Sequence, residues 1–159
     1  MGLSDEKVLG VSVTKGVAFM ICFKKVREMK DGNYYPLFID KTRPFVLGQK
    51  MESKFCPKKG FAPRSINGFG ENAVGGWHMT PSPNAPWIHD ELANGEKRVW
   101  LICEAEECTQ YMRPQGIWYL AHYMTPVRVI NEQEIKDILE QFNRWGTSPN
   151  FQNYLKEII

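Results

Sequence analysis

The residues from Lys97 to Glu106 alternate between two sets of side chains, as the residues of a β-strand do. One face carries Val99, Leu101, Cys103 and Ala105, and the other carries Arg98, Trp100, Ile102 and Glu104. Because apolar side chains occur on both faces, we predict that this segment is a central strand. A central strand needs a partner on each edge, so it constrains the fold more than any other segment.

Other segments supply the neighbouring strands. Val17 to Val26 is apolar, β-branched and aromatic, which predicts a buried strand that reaches the surface at Lys24 and Lys25. Lys30 to Asn33 contains Asp-Gly and predicts a tight turn. Pro36 cannot donate to a ladder, so the strand after this turn is placed at an edge. The remaining strands are predicted at 34–39, 45–47, 77–80, 116–124 and 127–130, the last two separated by Thr125-Pro126.

The clearest helix pattern begins after Asn131 and ends at Gly146. Asn131 is a predicted N-cap, and Glu134 completes a capping box. One apolar stripe of this helix consists of Ile135, Ile138, Leu139, Phe142 and Trp145. A last helix is predicted after Ser148, with inward-facing Phe151, Tyr154, Leu155 and Ile158. A shorter helix is predicted over 82–93, with Ser82 as its cap.

These elements predict one α+β domain over residues 1–159, with a mixed, mainly antiparallel twisted sheet and a C-terminal helix packed on one face. Residues 1–15 are expected to form a flexible arm or an edge strand, and residues 131–159 the C-terminal helices. Residues 49–76 contain many glycines and no periodicity, so we expect a mobile loop there. A lid over a site and a disordered surface insertion are both consistent with this composition.

Composition limits the class of protein. The net charge of +2 is spread along the chain, so a nucleic-acid partner is compatible with the charge but not required by it. The first residues lack a signal-peptide pattern and no apolar run is long enough to span a bilayer, so we expect a cytoplasmic protein without a membrane partner. In the cytoplasm, Cys22, Cys56, Cys103 and Cys108 are expected to be reduced thiols with a structural role. Their spacing does not predict a metal site.

The stretch from Gly75 to His89 concentrates aromatic and titratable residues among glycines and prolines. On a strand, His78 and Thr80 point to one face, where a histidine and a hydroxyl can hold a ribose or phosphate. We therefore interpret the stretch as the wall of a pocket. A buried His78 bonded to a neighbouring carbonyl is the alternative. The binding residues predicted for this pocket are Trp77, Thr80, Arg64 and Tyr35.

The other two histidines give less indication of a functional site. His122 lies on an apolar strand face, so a core histidine is expected, and His89 fits a solvated helix face. The chain contains no P-loop, no dinucleotide-binding glycine motif and no Gly-x-Ser-x-Gly. Sequence motifs of this kind therefore do not fix a reaction.

Five segments occur in a characteristic order: YYPLFID at 34–40, GFAPR at 60–64, GWHMTPSPNAPWI at 76–88, RVWLICEAE at 98–106 and WYLAHYMTPVRVINEQEI at 118–135. Over roughly residues 20–140 the chain resembles an uncharacterised domain of phage and mobile-element proteins, including large polyvalent proteins. Members of that family tend to have Pro-Arg and Gly-Trp-His adjacent. Here a long insert separates Pro63-Arg64 from Gly76-Trp77-His78. The resemblance implies a phage or mobile-element origin.

Gly76-Trp77-His78-Met79-Thr80, followed by Ala85, is also similar to the Gly-aromatic-x-Thr turn and following helix of the ADP-ribosyltransferase-like fold. That resemblance implies NAD as the cofactor, with His78 and Glu104 as the catalytic residues. The chain departs from the pattern because no first-strand His or Arg matches, and Glu104 is one of two candidates for the closing carboxylate, the other being Glu106. A likeness of fold does not by itself confer an activity.

Two classes of function follow. The first is a nucleotide-binding, NAD-type ADP-ribosyltransferase-like protein, with His78 and Thr80 in its cleft. The second is a non-catalytic interaction module, such as a phage accessory or anti-defence protein, that binds a host protein or a nucleic acid through an aromatic surface. Stabilisation by NAD favours the first class, and an exposed Trp and Tyr patch favours the second.

Overall fold

The computed structural model describes residues 5–8, 11–14, 19–37, 42–53, 76–85, 97–114 and 116–159. The strands are β1 (Asp5–Val8), β2 (Val11–Thr14), β3 (Phe19–Glu28), β4 (Tyr34–Tyr35), β5 (Met51–Glu52), β6 (Trp77–Met79), β7 (Lys97–Arg113) and β8 (Gly116–Ile130). The helices within these ranges are α1 (Glu132–Trp145) and α2 (Pro149–Ile158). The sheet is antiparallel and two helices follow it, which confirms the predicted α+β class.

Strand β7 lies in the middle of the main sheet, whose order is β4-β3-β7-β8-β5, with β6 also paired to β8. Cys103 of β7 is opposite Cys22 on one edge and opposite Pro126 on the other. The prediction of a central strand is therefore confirmed. Strand β7 continues past the predicted end at Glu106 and forms a long hairpin with β8.

The predicted break at Thr125-Pro126 is wrong, because β8 runs without interruption from Gly116 to Ile130. A register shift lies between Ile102 and Cys103 of β7, beside Pro126. Proline has no N–H to donate to the neighbouring strand. An irregularity in the pairing at this point removes the need for that hydrogen bond, so the strand can continue. On the other edge, the carbonyl of Pro126 accepts the Gly48 N–H at 2.7 Å.

The sheet curls until β6 reaches the outer edge of β3. The Thr80 N–H donates to the Phe23 carbonyl at 2.8 Å, and the Phe23 N–H donates to the Thr80 carbonyl at 3.0 Å. Since β6 also pairs with β8, the strands β3, β7, β8 and β6 form a closed ring of neighbours, which we call the barrel. Closure of this kind removes exposed sheet edges.

The edge of β3 next to this closure is covered by a helix side chain. The amide of Gln152 on α2 donates to the Ile21 carbonyl and accepts the Ile21 N–H, both at 2.9 Å. The backbone groups of Ile21 are therefore satisfied without another strand.

Apolar side chains on the two faces of the sheet form two separate cores. The barrel interior holds Cys22, Val26, Phe45, Met51, Trp77, Met79, Leu101, Cys103, Ala105, Cys108, Tyr119, Ala121 and Met124. The face covered by the helices holds Ile21, Phe23, Ala85, Trp100, Ile102, Ile130, Ile138, Phe151 and Leu155. The alternation seen in the sequence of β7 thus divides its residues between two cores.

The C-terminal helices pack on the outer face, as predicted. Ile138 is fully buried, and Ile135 and Phe142 pack against the same core, whereas Leu139 is only partly buried. The placement of Trp145 on the buried stripe is wrong. Its ring is exposed at the last turn of α1, and its Nε1 donates to Gln141 on the same helix at 3.2 Å. All four predicted inward-facing residues of α2 belong to this core or pack against it.

Three short elements differ from their predictions. The strand expected over 34–39 pairs only at Tyr34 and Tyr35, since Pro36 cannot continue the ladder. The segment 45–47 contributes a single bridge from Phe45 to Tyr34. Residues 81–85 bend without forming a helix, and the rest of the predicted 82–93 helix lies outside the described residues. Strand β6, by contrast, is confirmed as the predicted strand at Trp77.

The N-terminal arm and the long loop are described to different extents. Strands β1 and β2 pair antiparallel and contact β7, so the described part of residues 1–15 is a hairpin. Of the predicted mobile loop over 49–76, residues 49–53 and 76 are described, and the lid interpretation otherwise lies outside the described residues.

The two helix N-caps provide a matched test of these local signals. Asn131 forms both halves of the predicted capping box with Glu134, whereas the buried Ser148 hydroxyl makes no hydrogen bond. We expect Asn131→Ala to lower the free energy of unfolding by about 1 kcal/mol. Ser148→Ala should leave it unchanged or raise it, because no hydrogen bond is lost. Urea denaturation of both variants checks this, and an equal loss in both would contradict it.

Candidate functional site

Trp77 occupies the barrel interior beside the point where the barrel closes. Gly76 precedes it with a φ of 99°, a conformation that favours glycine. The indole Nε1 donates to the Met51 carbonyl at 3.1 Å, and the ring meets that of Phe45 edge-on with centroids 5.5 Å apart. Trp77 therefore connects β6 to β5 from inside the barrel and is itself buried.

Two cationic side chains lie against this indole. Lys24 Nζ is 5.9 Å from the ring centroid, and the guanidinium carbon of Arg43 is 5.2 Å from it. Both distances fall in the range of cation–π attraction. We call Lys24, Arg43 and Trp77 the cation–indole site.

Lys24 points into the barrel because it alternates with Cys22 and Val26, which are both interior residues. Its Nζ donates to the His78 carbonyl at 2.8 Å. Among the described residues no carboxylate pairs with it. Burial lowers the pKa of Lys24 to about 8 from the usual 10.5, and the nearby Cys103 and Cys22 oppose this shift only in part.

This position corrects the expectation that β3 reaches the surface at Lys24 and Lys25. Lys25 is buried on the other face, with Nζ 5.6 Å from the Trp100 ring centroid. Long lysine stems can pack along apolar side chains, which a hydropathy pattern does not register. Sequence reasoning missed Lys24 for that reason, although its shared parity with Cys22 and Val26 was a usable signal.

The barrel interior is rich in sulfur. Cys22, Cys103 and Cys108 are buried free thiols, as predicted, and Cys56 lies outside the described residues. Burial raises the pKa of Cys22 well above its usual value, and raises those of Cys103 and Cys108 to about 12. Thiols held in their protonated form are poor nucleophiles and poor metal ligands, and these three pack in the barrel interior. No group of three His, Cys, Asp or Glu side chains in the described segments is placed to hold a metal ion.

His78 lies on the face opposite to Trp77. Its neighbours Trp77 and Met79 belong to the interior core, whereas its ring meets that of Trp118 edge-on at 5.8 Å. The contribution of His78 to the cation–indole site is its backbone carbonyl, which accepts from Lys24. An alanine at this position would keep that carbonyl.

Thr80 is positioned as a closing residue of the barrel. Its hydroxyl donates to the Ser82 carbonyl at 2.6 Å, and the Phe23 carbonyl is 3.4 Å away. The side chain is buried, and the backbone of Thr80 forms the bridge to β3. This hydroxyl is therefore engaged with the protein's own backbone.

The remaining predicted site residues lie elsewhere. Tyr35 donates its hydroxyl to Asp31 Oδ2 at 2.7 Å in the β3–β4 turn. That bond raises the pKa of Tyr35 and, together with the Asn33 backbone N–H, lowers the pKa of Asp31. Glu104 is on the helix-covered face of β7, opposite Ile21. Arg64 is outside the described residues.

The structure thus brings Trp77 together with Lys24 and Arg43, and not with the side chains of His78 or Glu104. Comparison of the chain with models of protein families, with curated proteins and with solved structures finds no match in any of the three. The two resemblances noted in the sequence stay predictions. No helix in the described ranges is long and apolar enough to cross a membrane.

Proposed function

We propose that the barrel binds a small anionic ligand at the cation–indole site, and that the ligand class is a nucleotide whose phosphate contacts Lys24 and Arg43. The observation that carries this proposal is the partly buried Lys24 ammonium on the barrel side of β3. Its partners among the described residues are a carbonyl and an indole ring, neither of which carries a formal negative charge. An ammonium held in this way costs stability unless an anion compensates it.

Charge and chemistry favour a phosphate group. Arg43 is partly buried, and its guanidinium carbon and Lys24 Nζ lie 5.2 Å and 5.9 Å from the same Trp77 ring centroid. A guanidinium binds phosphate oxygens bidentately and a lysine binds them as a point charge. NAD is the nucleotide to test first, because the ADP-ribosyltransferase-like resemblance implies it.

The proposal is confined to binding. The predicted catalytic residues His78 and Glu104 direct their side chains away from the barrel interior, so neither side chain is placed beside Lys24. ADP-ribosyl transfer would therefore need groups other than this pair.

Titration calorimetry with NAD and with pyrophosphate at pH 7 tests the proposal. We expect binding by the wild type and a loss of about 10- to 100-fold in affinity for Lys24→Met, the value of a charge-assisted hydrogen bond. Lys25→Met is the matched control, because Lys25 is the next residue on the same strand and faces the other core. It should bind as the wild type does, and so should His78→Ala, which keeps the carbonyl.

Binding should also weaken as the pH rises above 8, because Lys24 then loses its charge. No binding of either ligand at millimolar concentration would overturn the proposal, as would equal losses for the Lys24 and Lys25 variants.

The second candidate is the interaction module. Val46 and Leu47 are consecutive apolar residues, both exposed in the turn after Phe45, which favours a protein partner at this turn. A failed ligand titration, together with loss of partner binding in Val46→Ser, would support this candidate instead.

A further inference from the structure

A second polar cluster lies where β5 meets β8. Glu52 is opposite Tyr123, and the Ser53 N–H donates to the His122 carbonyl at 2.8 Å. The Ser53 Oγ is 3.2 Å from His122 Nδ1, and His122 Nε2 is 3.1 Å from Glu52 Oε2. One imidazole therefore joins a hydroxyl on one side to a carboxylate on the other.

The partners assign the tautomer of this histidine. An ionised carboxylate only accepts, so Nε2 carries the proton that faces Glu52. Nδ1 then holds the lone pair that accepts from the Ser53 hydroxyl. The order hydroxyl, imidazole, carboxylate is that of a serine–histidine–acid triad, with the two ring nitrogens exchanged.

The three groups differ in burial. Ser53 is 8% exposed and the side chain of His122 is 14% exposed, whereas that of Glu52 is 59% exposed. The imidazole also meets the Tyr123 ring edge-on, with centroids 4.4 Å apart, which restricts its rotation. The expected core histidine at 122 is thus a partly buried histidine at the junction of two strands.

An independent feature of the backbone lies at the same place. Glu107 has a φ of 52°, the only positive φ of a non-glycine residue in the described segments. It is flanked by the pairs Glu106–Tyr123 and Cys108–Ala121, so His122 lies opposite it across the ladder. Ala105 and Cys108 both belong to the interior core although they are three residues apart. The regular alternation of side chains between the two faces of β7 is therefore interrupted between them. Backbone strain of this kind concentrates at functional sites.

We infer that Ser53, His122 and Glu52 form a catalytic relay for acyl transfer from carboxylic esters. This inference does not depend on the proposed anion site. Ser53 Oγ bonds to the ester carbonyl carbon while its proton passes to His122 Nδ1. The carbon–alkoxy bond then breaks, and the same proton leaves with the alcohol. Water hydrolyses the acyl-serine by the reverse sequence: its oxygen bonds to the carbonyl carbon, its proton moves to Nδ1 and then to Oγ, and the carboxylic acid is released.

A fluorophosphonate probe tests the nucleophile, because Ser53 Oγ would bond to its phosphorus as fluoride leaves. Mass spectrometry of the labelled wild type should place the adduct on Ser53. Ser53→Ala should abolish labelling, whereas Ser82→Ala should not. Ser82 is a suitable control because it is buried to nearly the same extent as Ser53, with 6% of its surface exposed against 8%.

The rest of the relay is tested by rate. His122→Ala should slow labelling and the hydrolysis of p-nitrophenyl acetate on the order of 10²- to 10⁴-fold, and added imidazole should restore part of the rate. Glu52→Gln should cause a smaller loss, because Glu52 is solvated. A structural role alone would not produce rescue by imidazole.

An unlabelled wild type, or an adduct on a residue other than Ser53, would overturn the inference. So would labelling at an unchanged rate in His122→Ala. Thermal melts of each variant identify any loss that results from unfolding, and the adduct position on the wild type does not depend on a variant that folds.

Discussion

Replacement of Lys24 by methionine is expected to stabilise the protein at pH 7 by about 1–3 kcal/mol. The fall in the pKa of Lys24 from 10.5 to about 8 corresponds to about 3 kcal/mol of unfavourable free energy in the charged form. Loss of the hydrogen bond to the His78 carbonyl offsets about 1 kcal/mol of this gain. Methionine is unbranched and fits an interior already rich in sulfur.

The same residue predicts how stability depends on pH. Between pH 8 and 10.5 the unfolded chain holds the Lys24 proton while the folded chain has lost it, so the stability contributed by Lys24 rises with pH in this window. Below pH 8 both states hold the proton and the penalty is present in full. The advantage of Lys24→Met over the wild type should therefore be constant below pH 8 and shrink above it.

Urea denaturation of wild type and Lys24→Met at a series of pH values measures this difference. Lys25→Met is the control, because Lys25 packs over Trp100 in the other core and its replacement loses a cation–π contact. We expect no gain in stability for that variant. A destabilised Lys24→Met, or a stability advantage that does not change above pH 8, would contradict this prediction.

A variant that is more stable and binds less ligand would identify Lys24 as a residue retained at a cost to stability. Loss of stability at a functional residue is common, because a site can require a side chain that destabilises the fold. A lysine that served only the fold would show the opposite pattern, with stability lost and ligand affinity unaffected.

Local signals in the sequence were sufficient for much of the fold. The alternation in β7 predicted a central strand because both of its faces are apolar. The Asn131 capping box and the stripe around Ile138 predicted α1 because capping and packing act within a few turns. Pro36 likewise predicted a short edge strand, although the strand is shorter still.

The closure of the barrel could not be predicted in this way. The bridge between Phe23 and Thr80 joins residues far apart in the chain, and neither residue carries a pattern that names the other. The register shift beside Pro126 likewise arises from the pairing of β8 with β7, which the sequence around Pro126 does not specify. Pairings of this kind depend on three-dimensional packing rather than on local propensity.

Of the three residues of the cation–indole site, the sequence singled out Trp77 and not Lys24 or Arg43. Trp77 was predicted to line a pocket with Thr80, Arg64 and Tyr35, and His78 was expected on the same pocket wall. Alternation places His78 on the other face, and the neighbours of the indole come from β3 and from Arg43. A lysine within an apolar strand was assigned to the surface on hydropathy, although its parity placed it inside.

The proposal that Lys24, which pairs with no carboxylate among the described residues, binds an anion is tested by titrating its amine. Nuclear magnetic resonance of isotopically labelled lysine ε-groups can follow this residue, with its signal assigned by its absence from Lys24→Met. We predict a pKa of about 8 for Lys24 in the free protein and a higher pKa when pyrophosphate or NAD is bound, because an anion favours the charged form. A pKa near 10.5 that does not change with either ligand would contradict it.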